Sequence, residues 1–175
     1  IREKGAMAKA QIARETNLSA QTVSVIMNRL KADGLLKAGS PIKQGIGQPS
    51  VPFDLDPEGA FATGLNVGRR RLDLALIDFK GQTRANRTIP YDLPLPEDLA
   101  DLIQENFEGL NESLSLSQRL RHLGCGVAAP FAFDGWAETY ARPQRVRDAW
   151  REVDFQALLE ARLGTPLIFR NDVSM

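Results

Sequence analysis

The sequence predicts an α/β chain in two parts, an N-terminal winged helix-turn-helix followed by a larger α/β unit. Three observations carry this. Lys9 to Leu36 has the pattern of two short helices joined by a tight turn. Residues 38–55 then break into Gly- and Pro-rich sequence with short apolar flanks, which reads as a two-stranded ribbon. From Gly59 onward, strand-like and helix-like apolar periods alternate.

Within the first part, Ile12, Ala13, Leu18, Val23, Ile26, Met27, Leu30 and Leu35 sit where a helix-turn-helix needs its core. Positions 23, 26, 27 and 30 follow the i, i+3, i+4, i+7 spacing of one buried helical face. Ser19 can cap the second helix by accepting from the free N–H groups of its first turn. The opposite face carries Gln21, Thr22, Ser24, Asn28 and Arg29. Side chains of that kind gain little from burial but can reach base edges and phosphates in a major groove. DNA binding is therefore the first functional expectation. Gln21, Thr22, Ser24 and Asn28 suit base edges, Arg29 and Lys31 suit phosphate, and Ser19 holds the entry to the helix. In the ribbon, Lys43, Gln44 and Gln48 lie at or near the tip of a wing, where they can touch the DNA backbone or minor groove; a plain turn is the bland alternative. A winged helix used for protein docking is the rival reading of the whole module.

In the second part, Phe61 to Asn66 and Leu72 to Phe79 read as strands, and Gln82 to Ile89 as a third, more polar one nearer an edge. Pro96 opens a helix in which Leu99, Leu102, Ile103, Phe107, Leu110 and Leu114 recur at helical spacing, and Pro suits a first turn. Leu123 to Ala129 is a short strand of small residues. Residues 135–151, with Trp136, Tyr140 and Trp150, read as irregular. Val153 to Leu163 reads as a helix stopped by Gly164, and Leu167 to Arg170 as a final strand. The order makes a coherent α/β unit whose first three strands form a meander. The expected boundaries are residues 1–56 for the winged helix and 57–175 for the α/β unit.

Composition narrows the classes. The 175 residues are 43% hydrophobic and 25% charged, ordinary for a globular protein. No run of about 18 apolar residues exists to make a membrane-spanning helix, so no membrane partner is expected. The first residues have no apolar signal core and no initiator Met, which fits a start inside a longer protein. Cys125 is the only cysteine, so no internal disulfide forms, and with the lone His122 it makes a poor metal set. Cys125 is expected in the core, and a reducing cytoplasm fits best. The net charge of zero hides an asymmetry: residues 1–53 hold eight Lys/Arg against three acids, and the remainder fourteen against nineteen. A basic first part on an acidic second part is what attraction to phosphate at one end would require.

Four segments together carry a family resemblance. They are Gly64-Leu65-Asn66-Val67-Gly68; Leu72-Asp73-Leu74-Ala75-Leu76-Ile77-Asp78-Phe79-Lys80-Gly81; Gly124-Cys125-Gly126-Val127-Ala128-Ala129-Pro130; and Pro166-Leu167-Ile168-Phe169-Arg170-Asn171-Asp172. In this order behind a winged helix, the sequence resembles the ROK family of repressors, open reading frames and sugar kinases. The resemblance covers nearly the whole chain, though the chain stops well before such proteins end. It implies that residues 57–175 are most of the first lobe of an actin-like (ribonuclease H-like) ATPase fold. The family's second lobe, its Glu-x-Gly-His sugar motif and its cysteine-rich zinc site are not in this segment. No cofactor is expected within it, and zinc would belong to the C-terminal part.

In the family's kinases the first hairpin reads Asp-x-Gly-Gly-Thr-Lys, and its small residues let the backbone approach ATP phosphates. Here Asn66-Val67-Gly68-Arg69-Arg70-Arg71 stands instead. The acid has become Asn66, and the second Gly and the Thr have become Arg69 and Arg70. A bulky arginine does not fit where a glycine allows close backbone approach. No catalytic residues are therefore expected, and the chain reads as a non-enzymatic member. Asp172 aligns with the family's catalytic base and Asn171 with a hydroxyl-binding residue, so the resemblance implies a sugar-recognition role for both. Trp136, Tyr140 and Trp150 can stack on a sugar ring or pin the long connection to the core. The resemblance thus implies a cytoplasmic transcriptional regulator, a repressor of carbohydrate genes. Its partners would be a double-stranded DNA operator, a sugar or sugar-phosphate effector, and a second copy of itself as a homodimer or higher oligomer. The alternative is an ATP-dependent sugar kinase carrying a regulatory winged-helix head.

Overall fold

The computed structural model describes residues 1–43, 49–92, 94–129, 133, 141 and 143–171, the last by its backbone. The chain divides into two compact units: residues 1–60 with 78–82, and residues 61–77 with 83–175.

The first unit runs β1 (Met7–Ala8), α1 (Lys9–Thr16), α2 (Ala20–Ala32), β2 (Leu36–Ala38) and β3 (Pro52–Leu55). Asn17 ends α1 in the left-handed conformation at φ 55°, a position Asn tolerates better than most side chains. Ser19 starts α2 as expected, its Oγ accepting the Thr22 N–H at 3.1 Å. β2 and β3 pair antiparallel, with Leu36 opposite Leu55 and Ala38 opposite Phe53. The ribbon continues through an Ile42–Ser50 bridge, so the expected wing is present. β1, which the sequence reading did not anticipate, adds a third strand to give the order β1-β3-β2. Two residues are too few to show a period.

Val23, Met27, Leu36 and Phe53 form the centre of this unit, with Ile12, Ala13, Leu30 and Leu55 packed around them. Of the other expected core residues, Leu35 is only partly buried. Leu18 and Ile26 are each 43% exposed. The buried line of α2 runs through 23, 27 and 30, and Ile26 lies on the flank of that line next to Thr22 and Arg29. So small a core closes over a narrower stripe than the apolar pattern offers. The turn at residues 78–82 belongs to this unit too, with the Lys80 ammonium 2.6 Å from Asp54. That hydrogen bond holds the Asp54 carboxyl below the usual carboxylate range.

The second unit contains β4 (Phe61–Val67), β5 (Arg71–Asp78, whose last residue joins the turn above), β6 (Thr83–Pro90), α3 (Pro96–Asn111), α4 (Leu116–Arg119) and β7 (His122–Ala129). It continues with α5 (Gln144–Glu152), α6 (Phe155–Leu163) and β8 (Leu167–Asn171). The sheet order is β6-β5-β4-β7-β8. β5 and β6 pair antiparallel, while β7 runs parallel to both β4 and β8. Alternation decides which face is buried: Phe61, Thr63, Leu65 and Val67 of β4 and Leu72, Leu74 and Leu76 of β5 all point into the core. α3 meets them with Leu99, Ile103, Phe107 and Leu110, spaced as the sequence predicts. Gly124 takes φ +145°, and a Cβ there would sit 2.4 Å from the Pro166 carbonyl oxygen. Only glycine fits that approach of β7 to the residue before β8.

The segment expected to be irregular is in fact helical from 144 to 152. Its sequence offers only two buried anchors, Val146 and Trp150, among charged residues, too few to announce a helical period. α6 starts at Phe155, two residues later than expected, because Asp154 caps it by accepting the Ala157 N–H at 3.0 Å. Trp150 is only 4% exposed. Its ring stacks on Phe133 at 4.3 Å and its indole N–H donates to the Pro94 carbonyl at 2.7 Å. Of the two readings of this aromatic, pinning the connection is the one observed. Trp136 and Tyr140 lie outside the described residues.

Cys125 is buried, as expected, and burial pushes its thiol up to about 12. His122 is half-buried beside the Phe107 ring, with its Nε2 2.9 Å from the Thr63 hydroxyl. Burial lowers its pKa from the ordinary 6.5.

Two outcomes follow from this packing. Trp150→Ala is expected to lower the unfolding free energy by about 3–5 kcal/mol in denaturant titrations, because it leaves a large cavity and an unpaired carbonyl. For His122, the unfolded chain binds the proton more tightly than the folded one. Its contribution is therefore intact above 6.5 and is lost as pH falls through that value, levelling off below the lower folded-state pKa. Stability measured against pH should show this decline, and His122→Gln should flatten it.

Candidate nucleic-acid interface

The interface is built on α2. Burial of Val23 and Met27 turns the residues half a turn away toward solvent. Gln21, Thr22, Asn28, Arg29 and Lys31 are exposed, and Ser24 is partly so. These are the residues the sequence assigned to DNA, and all lie on one continuous helix. Ser19 and Thr22 are linked by their hydroxyls at 2.8 Å, so both serve the cap as well as the surface. Arg29 has only a loose approach to Asp33 at 4.0 Å and stays 83% exposed. An ion pair of that kind contributes little and leaves the guanidinium available to a phosphate. Lys43 is exposed beside the Ile42–Ser50 bridge at the wing. Gln44 and Gln48 lie outside the described residues.

Two residues on this surface escaped sequence reasoning. Val25 is 64% exposed in the middle of the polar face, where a branched apolar side chain can pack on a thymine methyl. Its signal was present as an apolar residue off the buried line. Lys9 is the other. It stands at the start of α1, and its ammonium donates to Asn28 Oδ1 at 2.8 Å and to Ser24 Oγ at 3.1 Å. It also lies 5.4 Å from the centre of the Phe53 ring. A contact between residues so far apart in the chain leaves no local trace in sequence.

The second unit places Asn66 to Arg71, the segment compared above with a phosphate loop, at the β4–β5 turn. The Gly68 N–H closes the turn on the Arg71 carbonyl at 3.0 Å, and the Tyr91 hydroxyl donates to the Gly68 carbonyl. Arg71 is tied to Asp73 at 2.9 Å, and Asp73 also accepts from Thr88 at 2.9 Å. Asn66 lines a shallow groove of about 450 Å³ on a face of the sheet, together with Gly64, Gly126, Ala128, Ile168 and Arg170. The groove is almost wholly apolar apart from Asn66, Asp73 and Arg170. Asn171 pairs by its backbone with Ala129 at the end of β8, and Asp172 lies outside the described residues. Among the described residues no group of three or more His, Cys, Asp or Glu is placed to hold a metal ion. No described helix is long and apolar enough to cross a membrane.

The comparisons with known proteins agree with this geometry. Residues 1–37 match the winged helix-turn-helix DNA-binding family. Over 127 residues the chain is 24% identical to y4fQ, an uncharacterized protein of Sinorhizobium fredii, covering 73% of this chain and 32% of that protein. Among solved structures, a ROK family transcriptional regulator, a homolog of the E. coli MLC protein, superposes with a TM-score of 0.61 at 16% identity. That match covers 97% of this chain and 42% of the regulator. A ROK hexokinase from Thermus thermophilus gives a TM-score of 0.43 at 19% identity, covering 64% of this chain and 35% of the hexokinase. The chain thus spans about a third of the curated relative and under half of the solved regulator. The class is a winged helix-turn-helix followed by an α/β lobe, the fold expected from the sequence. More particularly, that fold is shared along nearly the whole chain with a ROK family transcriptional regulator.

Proposed function

We propose that this chain is the DNA-binding part, with the first lobe of the sensing part, of a ROK-type transcriptional regulator. One observation carries the reading most: α2 is capped by Ser19 and anchored by Val23 and Met27, so Gln21, Asn28, Arg29 and Lys31 are presented together to solvent. That is the arrangement a recognition helix needs in a major groove. One such helix reads a half-site, so specific affinity calls for a homodimer on a pseudo-palindromic operator.

The finer reading is a repressor of carbohydrate genes whose lobe senses a sugar or sugar phosphate. A ligand that binds one arrangement of the dimer better than another shifts the equilibrium and changes operator affinity. Asn171 and Asp172 are the proposed hydroxyl-binding pair. Phosphoryl transfer is not part of the proposal. Such chemistry rests on positioning of the phosphates and Mg²⁺, and here an amide replaces the acid at Asn66 and arginines follow Gly68. Arg71 pairs with Asp73 at 2.9 Å.

The test is retention of genomic duplex fragments by the full-length protein, followed by titration of a retained fragment. Gln21→Ala is expected to weaken binding by about 1–3 kcal/mol, and Arg29→Ala to reduce the slope of log affinity against log salt by about 1. If no fragment is retained at low salt, or if neither variant changes binding to one that is, α2 is not the reading element.

A further inference from the structure

We infer that Lys9 is a positioning residue that fixes the Asn28 amide with its donor side toward the duplex, so that Asn28 selects guanine rather than adenine. The inference rests on the DNA-binding reading above and deepens it.

A lysine ammonium carries three donors and no acceptor. The atom of Asn28 that meets it at 2.8 Å must therefore be the amide oxygen, which settles the orientation that Asn side chains otherwise leave open. Lys9 is itself held in place. It is partly buried, it donates to Ser24 Oγ at 3.1 Å, and its ammonium lies near the face of Phe53, a core residue only 6% exposed. Ser24 and Asn28 are one turn apart on α2, so a single cation bridges both to the start of α1.

An unrestrained asparagine reads adenine with both ends of its amide, Oδ1 accepting from N6 and Nδ2 donating to N7. Here the oxygen is committed to a charge-assisted bond, stronger than a neutral one. The accessible half of Asn28 is then the Nδ2 group with its two donors. Guanine offers two acceptors on its major-groove edge, N7 and O6, whereas adenine offers one acceptor and a donor. The donor of adenine would meet either the Nδ2 donors or an oxygen that is turned toward Lys9 and already accepts from its ammonium, so adenine loses the bidentate pairing. Asparagine at this point of the helix therefore reads with the preference of a cationic donor.

The experiment is selection of binding sites from a randomised duplex library by the full-length protein, at fixed salt, for wild type, Asn28→Ala, Lys9→Met and Asn28→Asp. Asn28→Ala identifies the column of the site that depends on this side chain. Wild type is expected to hold guanine in that column. Lys9→Met frees the amide oxygen and should move the preference to adenine, by roughly tenfold in the ratio of the two bases. Asn28→Asp keeps the bond to Lys9 but turns an acceptor outward, and should move it to cytosine. That variant keeps the test open if Lys9→Met fails to fold. Adenine in the wild-type column, a guanine preference unchanged by Lys9→Met, or a guanine preference retained in Asn28→Asp overturns the inference. So does a site in which no column responds to Asn28→Ala. A wild-type protein that selects no sequence at all instead removes the DNA-binding reading beneath it.

Discussion

Burial of Val23 and Met27 against Phe53 and Leu36 is the interaction on which the first unit depends. Without it α2 has no fixed rotation, and a helix free to roll presents no particular face. The core is small, and burying one such side chain is worth only about 1.5–3 kcal/mol. The unit therefore adds several local devices: the Ser19 cap, the left-handed Asn17 that turns the chain between helices, and a third strand, β1, beside β3. Lys9 belongs with them. It ties the outer face of α2 to the start of α1, so the polar surface is ordered by contacts of its own as well as by the apolar stripe beneath it.

The second unit is organised by a different constraint, strand alternation. Leucines at 72, 74 and 76 of β5 and Phe61, Leu65 and Val67 of β4 commit one face of the sheet to α3. The other face then carries what alternation leaves, Gly64, Asn66, Asp73 and Ala75. This fixes the place of the β4–β5 turn and the side chains around it. Arginines after Gly68 make that turn bulky and positively charged. The sheet itself is set by its apolar residues.

Much of this was legible in the chain itself, for physical reasons. α2 and α3 announce themselves because several apolar residues recur at helical spacing, and the strands because β4 and β5 alternate or run apolar between turn residues. The wing was visible through its glycines and prolines. What escaped lacks a period or is not local. β1 has two residues, and α5 has two anchors among charges. Ile26 fits the apolar pattern of α2 but lies beyond the width of a core this small. The ammonium of Lys9 reaches Asn28 only because α1 and α2 pack together. Of the candidate site, the polar face was readable from composition and spacing. The direction in which Asn28 holds its amide was not, since it is decided by a partner 19 positions away.

The most direct test of the central claim is photocrosslinking from position 25 of the full-length protein. A photoreactive amino acid replaces Val25, and the protein is irradiated on a duplex that it retains. The account predicts crosslinks to bases on their major-groove side, since position 25 lies between Gln21 and Asn28 on the outward face of α2. Retention of the duplex with no crosslink from this position would contradict it, because DNA would then be held by some other surface.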